Sequence, residues 1–259
     1  MSLLTDAAIS VLGLSYEGDK GSVLKDISFS FSKGGIHGIL SPFGSDSSIL
    51  LELLAGVRTQ NSASVTSDSC EVDLSSAFWK KKIGYVPKTP VFYDRMNVYE
   101  LLDFVGEARG VSSELRLRQI EEALELVGVD ALANRLLGRL SEEEKKRVSL
   151  AAALLGNPSF LLFDDPTPEF FDLIRMLGKH KTVILGGGNF AAMKELCDDV
   201  VILSDGMLLA SGSFSELEEK LTRSEEKQSL ADIYASIVAL SWRKDSKEST
   251  ILGGEERGR

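Results

Sequence analysis

The stretch that decides the fold is Gly38-Ile-Leu-Ser-Pro-Phe-Gly-Ser-Asp-Ser-Ser-Ile-Leu-Leu51. Its first residues complete the apolar run 36–40, which predicts a short buried strand. The apolar residues of 49–54 recur at helical spacing, and Gly56 follows where a helix would end. The sequence therefore predicts a strand that enters a helix through a short polar loop.

Short apolar runs and helical patterns alternate along the rest of the chain. Ile83–Val86, Phe160–Phe163, Thr182–Leu185 and Val200–Leu203 are runs of the kind that is buried in parallel sheets. Asp26–Phe31 alternates polar and apolar residues, which predicts a half-buried strand. Strands that alternate with helices indicate an α/β fold.

One region interrupts this alternation, because residues of about 90–158 read as helical almost throughout. A helix is predicted to begin at Asn97, where Glu100 completes a capping box, and further helices are predicted over 112–127 and 141–155. We expect these helices to form a subdomain inserted between two strands of the sheet.

The end of the chain has a different pattern. Ser204-Asp-Gly206 predicts a hairpin turn, and an acidic helical region runs from Ser213 to about residue 244. Residues 244–259 are predicted to be a disordered tail. The expected folded domain is therefore 1–243.

Composition excludes several classes of protein. The 259 residues carry a formal charge of −10, which argues against general nucleic-acid binding because such binding needs cations to replace counterions. Two cysteines, Cys70 and Cys197, cannot frame a disulfide scaffold and fit a reducing cytosol. Two histidines, His37 and His180, exclude a multi-histidine metal site. No apolar run approaches the ~20 residues of a membrane span and no leader-like segment opens the chain, so we expect neither an integral membrane protein nor a signal peptide.

Several segments together resemble the ATP-binding subunits of ABC transporters, in the order and spacing of that family. Residues 38–51 resemble the phosphate loop, and Ser229–Tyr234 resembles the tail of drug-exporter-like subunits. Ile83–Lys88 resembles the Q-loop strand, and Leu140–Arg147 resembles the signature motif with its helix. Phe160–Thr167 resembles the Walker B strand, and Leu196–Gly206 resembles the segment after the switch histidine. The resemblance covers about residues 7–240. It implies a P-loop ATPase core with a mixed, mainly parallel sheet, an N-terminal antiparallel β part and the inserted helical subdomain.

The resemblance also implies which residues face ATP and Mg²⁺. Tyr16 stands where the family stacks adenine on an aromatic ring, and Ser48 and Asp164 stand at the Mg²⁺ positions. Asp165 replaces the glutamate that polarises the attacking water, and Gly188 stands at the switch histidine. The remaining nucleotide-facing positions are Ser41, Gly44, Ser45, Asp46, Ser47, Ile49, Lys88 and Ser141.

The chain departs from the family at these chemical positions while it keeps the framework. Ser41 and Asp46 replace glycines of the phosphate loop, and Ser47 replaces the lysine that contacts phosphate. Asp165 is one methylene shorter than glutamate, and Lys88 replaces the Q-loop glutamine. A unit-charge pair about 4 Å apart is worth about 4 kcal/mol at an effective dielectric of about 20. The loss of about 4 kcal/mol of binding free energy weakens a micromolar site to a millimolar one. We therefore expect ATP to be bound and hydrolysed poorly or not at all.

Two of the substituted segments also have structural interpretations. Asp46 and Ser47 are residue types that cap free amides at a helix start, so we hypothesise that Asp46 takes the place of phosphate and lets the loop fold without nucleotide. In the signature segment, three glutamates follow Ser141, and Ser141 with Glu144 predicts a capping box on an ordinary solvated helix.

The preferred hypothesis is a regulatory or structural pseudo-ATPase subunit of an ABC transporter. Such a subunit docks on a transmembrane permease and pairs with a second ATP-binding subunit, as a homodimer or a heterodimer, on the cytoplasmic face of the cell membrane. Two alternatives stay open: a working but slow transporter ATPase, and a soluble ABC-fold interaction protein. Exposed apolar residues around Phe92, Tyr93, Met96 and Val98 would favour docking, and a charged surface there would favour the soluble protein.

Overall fold

The computed structural model describes residues 7–18, 21–59, 62–222 and 229–236. The strands of this part of the chain are β1 (Ala7–Gly18), β2 (Gly21–Ser32), β3 (Ile36–Leu40), β4 (Ser62–Ser67), β5 (Cys70–Glu71), β6 (Ile83–Val86), β7 (Phe160–Asp164), β8 (Thr182–Gly187), β9 (Asp199–Ser204) and β10 (Met207–Gly212). The helices are α1 (Ser45–Leu54), α2 (Ala77–Lys82), α3 (Val98–Ala108), α4 (Ser113–Leu126), α5 (Glu142–Leu154), α6 (Phe171–Gly178), α7 (Phe190–Leu196) and α8 (Phe214–Thr222), and 230–236 is also helical.

The described strands form two sheets. One is a four-stranded antiparallel sheet in the order β2-β1-β4-β5. The other has six strands in the order β10-β9-β3-β8-β7-β6, of which β10 pairs antiparallel and the others parallel. This arrangement confirms the predicted α/β fold with its antiparallel N-terminal part and mixed sheet.

Two hydrophobic cores meet at the six-stranded sheet. Helix α1 lies between the two sheets, and its residues Leu50, Leu51, Leu53 and Leu54 are completely buried there. Trp79 of α2 is buried in the same core, and its indole nitrogen donates to the Leu54 carbonyl at 2.7 Å. The other core packs helices α3 to α7 against the opposite surface of the large sheet. The strand-loop-helix unit is therefore held at both ends by apolar packing.

The predicted helices between β6 and β7 form as α3, α4 and α5. The Asn97 side chain accepts from the Glu100 amide at 2.8 Å, and the Glu100 carboxylate accepts from the Asn97 amide at 2.9 Å. A matching pair joins Ser141 and Glu144 at the start of α5. Both predicted capping boxes are confirmed.

The predicted C-terminal helical region begins with α8 and includes 230–236. Residues 223–228 and 237–259, with the predicted tail, lie outside the described residues. Within the described ranges, no helix combines the length and the apolar character that crossing a membrane would require.

A buried ion pair joins β3 to β9. His37 is buried, and its two ring nitrogens lie 2.7 Å from Asp199 Oδ1 and 2.9 Å from the Gly34 carbonyl oxygen. Both partners accept hydrogen bonds, so the geometry suits an imidazolium that donates from both nitrogens. Burial lowers the pKa of His37, but Asp199, the Gly34 carbonyl and Asp198 outweigh burial, and the pKa is raised overall.

We predict a pH-dependent stability that arises from His37. Because the folded-state pKa is above the unfolded value of about 6.5, this stabilisation is complete below that pH and is lost as the pH rises through the folded pKa. We would measure urea unfolding of the natural chain and of His37→Gln at pH values from below about 6.5 to above the folded pKa of His37. The free energy of unfolding should fall with rising pH through this contribution in the natural chain and not in the variant. His180→Gln, at the exposed second histidine, is the matched control and should keep the slope. An unchanged slope in His37→Gln would refute the assignment.

Candidate functional site

The loop after β3 closes on itself through serine side chains. Ser41 follows the strand, Pro42–Gly44 forms a 3-10 turn, and α1 begins at Ser45. The Ser41 hydroxyl accepts a hydrogen bond from the Ser47 amide at 3.1 Å. The buried Ser47 hydroxyl donates to the Gly44 carbonyl at 2.9 Å. The Ser47 hydroxyl, which stands at the lysine position, therefore makes its hydrogen bond within the loop.

Asp46 lies in the first turn of α1 but does not cap it. Its Oδ2 accepts a hydrogen bond at 3.1 Å from the amide of Gly206, in the turn between β9 and β10. The predicted capping by Asp46 and Ser47 is wrong, because the Ser47 amide is satisfied by Ser41 from the strand side. Burial raises the pKa of Asp46, the Gly206 amide opposes this shift, and Asp205 adds to it. Asp46 thus joins the helix start to the predicted hairpin turn.

Ser48 and Asp164, at the two Mg²⁺ positions, contact each other directly. The Ser48 hydroxyl donates to Asp164 Oδ1 at 2.8 Å. Asp164 is the last residue of β7 and is buried, and burial raises its pKa although the bond from Ser48 lowers it. A serine hydroxyl and a Walker B aspartate are the protein groups that hold Mg²⁺ in P-loop proteins.

Asp165, at the catalytic-base position, pairs with the substituted Q-loop position. Its carboxylate lies 3.1 Å from Lys88 Nζ, and both side chains are about half exposed. Its backbone is left-handed, with φ of 53°, and its amide donates to the Gly186 carbonyl at 2.8 Å. A carboxylate engaged by an ammonium is a poor base for a water molecule.

Lys146 is a site residue that sequence analysis missed. It lies on α5, is buried, and its Nζ donates to the Asp165 carbonyl at 2.7 Å. Burial lowers its pKa, and the carboxylates of Asp165, Asp164 and Glu169 oppose this shift. In the sequence it is one of three consecutive cations, 145–147, and no signal there separates the buried one from its partly exposed neighbours.

The aromatic ring at the adenine position contacts a cation of the same chain. The Arg58 guanidinium carbon lies 5.8 Å from the Tyr16 ring centroid, and Arg58 Nη1 donates to the Tyr16 hydroxyl at 3.1 Å. Glu52 pairs with the Arg58 Nε. Sequence analysis missed Arg58, because its pairing depends on α1 and the loop after it lying beside β1.

The signature segment carries its own counter-charges. Ser141 caps α5, and backbone and side-chain bonds from Ser141 lower the pKa of Glu144. The three glutamates pair with cations, in the order Glu142–Lys145 at 2.8 Å, Glu143–Arg147 at 2.9 Å and Glu144–Arg135 at 3.4 Å. These contacts agree with the prediction of an ordinary capped helix whose first-turn acids face solvent.

Gly188, at the switch-histidine position, accepts a hydrogen bond from the C-terminal part of the chain. The Tyr234 hydroxyl donates to the Gly188 carbonyl at 3.1 Å. Tyr234 is buried, and burial raises its pKa, so the hydroxyl stays a donor. The motif around Tyr234 was noticed in the sequence, but this contact was not predicted.

The structure gathers most of the predicted site residues at the carboxyl ends of the parallel strands. The Ser41 amide donates to the Gly187 carbonyl at 3.1 Å, which places the phosphate loop beside Gly188. Ser45 is exposed, with its hydroxyl 3.5 Å from Asp46, and Ile49 packs into the core between the sheets. No described contact joins Tyr16 or Ser141 to this group.

The residues present fit the metal positions and not the phosphate positions. The Ser48–Asp164 pair provides suitable oxygen donors for Mg²⁺. The phosphate loop, however, has Asp46 in the first turn of α1 and a serine in place of its lysine. Both differences disfavour a polyanion in the loop.

Known proteins resemble this chain over about three quarters of its length. The family model described as ABC transporter matches residues 24–168. The chain is 31% identical over 205 residues to the uncharacterized ABC transporter ATP-binding protein YxlF of Bacillus subtilis (strain 168), a match that covers 76% of this chain and 68% of YxlF. It is 28% identical over 211 residues to the linearmycin resistance ATP-binding protein LnrL of the same organism, covering 78% of this chain and 68% of LnrL.

Solved structures share the fold at low sequence identity. An ATP-binding subunit of an ABC transporter matches with a TM-score of 0.77 at 20% identity, covering 89% of this chain and 99% of that one. A dimeric ATP-binding cassette in a post-hydrolysis state with ADP and Pi matches with a TM-score of 0.71 at 20% identity, covering 79% of this chain and 98% of that one.

We predict that the Asp46 carboxyl oxygen, rather than its charge, stabilises the nucleotide-free protein. Asp46→Ala should lower the free energy of unfolding by about 1 kcal/mol, because the Gly206 amide loses its acceptor. Asp46→Asn keeps an acceptor and should stay close to the natural chain, since the carboxylate is partly desolvated beside Asp205. Urea unfolding measures both variants. Asp172→Ala, at a fully exposed carboxylate, is the control, and equal stability of Asp46→Ala and the natural chain would disprove the contact's role.

Proposed function

The chain belongs to the ABC transporter family as an ATP-binding subunit, and from that premise we propose that it is a pseudo-ATPase. In this proposal it docks on a transmembrane permease at the cytoplasmic face of the membrane, pairs with a second ATP-binding subunit, and acts as a regulatory or structural subunit. The observation that carries the proposal is the phosphate loop, which is closed by Ser41 and Ser47 and contains the Asp46 carboxylate.

Electrostatics in the loop oppose a bound triphosphate. Replacing the lysine removes one attractive contact, and Asp46 adds a repulsive one, each worth about 4 kcal/mol at 4 Å and an effective dielectric of about 20. Stacking of adenine on Tyr16 would return ~1–3 kcal/mol. Arg58 already contacts that ring, so part of this gain requires that the guanidinium move. Repulsion therefore exceeds the available attraction.

The hydrolytic positions support the same proposal. Asp165 is paired with Lys88, and Gly188 has no side chain to contact a phosphate. ABC subunits combine one chain's phosphate loop with the other chain's signature motif, and here three glutamates follow Ser141. A competent partner subunit would therefore meet glutamate side chains, each paired with a cation of this chain, at its own site.

An exposed apolar surface supports docking on a partner protein. Val91, Tyr93 and Phe104 have exposed fractions of 88%, 78% and 61%. Val98 is buried, and Phe92 and Met96 pack against the core, so of the four residues that sequence analysis singled out, Tyr93 is the exposed one. We propose that these side chains form one docking surface, since contiguous exposed apolar patches mark interaction sites, and this favours docking over a soluble protein with a charged surface.

The slow-ATPase alternative has one observation in its favour. The Ser48–Asp164 pair is intact, and together with Tyr16 and the loop amides it could retain weak Mg-ATP binding. This alternative differs from the proposal in turnover, so it is separated by a direct measurement of phosphate release.

We predict that the natural chain binds Mg-ATP with a Kd in the millimolar range or weaker. The repaired variant Asp46→Gly, Ser47→Lys should bind in the micromolar range, because it removes one repulsive charge and restores one attractive charge. Isothermal calorimetry on both proteins measures this difference.

The matched control for this prediction is Asp172→Asn, Ser113→Lys, which changes the net charge equally on exposed positions. The control should behave like the natural chain. Micromolar binding by the natural chain would overturn the electrostatic argument and the proposed function with it.

We further predict that the natural chain releases no phosphate from Mg-ATP above the protein-free rate. Asp165→Asn should therefore change nothing, and Asp172→Asn is its surface control. Steady-state phosphate release measures all three proteins. Release by the natural chain that Asp165→Asn abolishes would establish the slow-ATPase alternative.

A further inference from the structure

The switch loop (186–189), which comprises the last two residues of β8 and the two residues before α7, lies against the phosphate loop (41–48). The Ser41 amide donates to the Gly187 carbonyl at 3.1 Å. A Cβ atom placed on Gly44 would lie 3.7 Å from both Gly187 Cα and Gly188 N. The backbones of the two loops are thus close together, and the hydrogen bond from Ser41 to Gly187 joins them directly.

The C-terminal segment (229–236) packs against the same region. Its helix begins with Ser229, whose hydroxyl accepts from the Asp232 amide at 3.1 Å. Leu230 and Tyr234 are buried in the core of the large sheet. The Tyr234 ring is stacked on Phe190, the first residue of α7, with the centroids 5.6 Å apart and an interplanar angle of 29°. The segment is therefore attached to the helix that follows the switch loop.

A single hydrogen bond extends this attachment to the switch loop itself. The Tyr234 hydroxyl donates to the Gly188 carbonyl at 3.1 Å. Gly186 and Gly187 are paired with β3 in the sheet, whereas Gly188 follows the strand and, as a glycine, has the greatest backbone freedom and no side chain to fix its position. Within the described residues, Tyr234 is the side chain whose hydrogen bond reaches the Gly188 backbone.

We propose that Tyr234 is a positioning residue that holds the switch loop against the phosphate loop, in a chain whose switch position has no side chain. The path runs from Tyr234 through the Gly188 carbonyl and the Gly187 carbonyl to the Ser41 amide. The C-terminal segment therefore sets the conformation of the nucleotide-facing loops. This role goes beyond the proposed function, because it applies to the nucleotide-free protein whether or not ATP binds.

A purely structural role of Tyr234 would act through its ring alone. Tyr234→Phe distinguishes the two roles, because it keeps the stacking on Phe190 and removes the bond to Gly188. Tyr234→Ala removes both. Tyr93→Phe, at a tyrosine that is 78% exposed, is the matched control for the loss of a hydroxyl.

The test is hydrogen–deuterium exchange on the nucleotide-free full-length chain and the three variants, with the Tm of each measured alongside. We expect Tyr234→Phe to raise exchange about 3- to 10-fold in peptides that cover 41–48 and 186–189, the range expected for the loss of one hydrogen bond. Exchange in β4 should stay unchanged, and Tyr93→Phe should match the natural chain throughout.

Two outcomes would overturn the proposal. One is exchange in both loops of Tyr234→Phe at the same rate as in the natural chain, which would show that Tyr234 acts only by packing in the core. The other is an equal rise in exchange across β4 and both loops, which would show a general loss of stability. If Tyr234→Ala fails to fold, the Phe variant still decides the question. Since no nucleotide is present, the result is independent of whether the calorimetric prediction holds.

Discussion

The hydrogen bond from the Ser47 amide to the Ser41 hydroxyl is the contact on which the site depends. The first amides of a helix have no partner within it, and a phosphate loop leaves them for a ligand. In this chain a serine from the end of β3 supplies an acceptor instead, and Ser47 satisfies the Gly44 carbonyl. The loop is therefore closed without an anion, and α1 can bury its leucines between the two sheets.

Charged side chains at or near the nucleotide-facing positions are paired with other groups of the same chain. Lys88 pairs with Asp165, and the signature glutamates pair with cations on or near α5. Arg58 lies against the Tyr16 ring. Exposed pairs of this kind contribute little to stability, with a typical value of about 0–1 kcal/mol. Two of these contacts bear on the site, because they engage the Asp165 carboxylate at the catalytic-base position and the Tyr16 ring at the adenine position.

Local patterns predicted some parts of the molecule and failed on others for a physical reason. The capping boxes at Asn97 and Ser141 depend on residues three apart, and both are confirmed. The predicted cap by Asp46 was wrong, because its partner, the Gly206 amide, is 160 residues away in the sequence. Strands β1 and β4 were not located individually, since β1 contains bulges that interrupt the alternation of polar and apolar residues.

The sequence by itself determined the α/β fold, the motif order of the family and the loss of the lysine at position 47, because these depend on spacing and residue type along the chain. Only the tertiary structure decided how the substituted groups are used. Buried Lys146 and its partly exposed neighbours 145 and 147 are alike in sequence, and the bond from Tyr234 to Gly188 joins residues 46 apart. Such contacts depend on where the sheet brings distant segments together, and pairing in space leaves no periodic signal in a single chain.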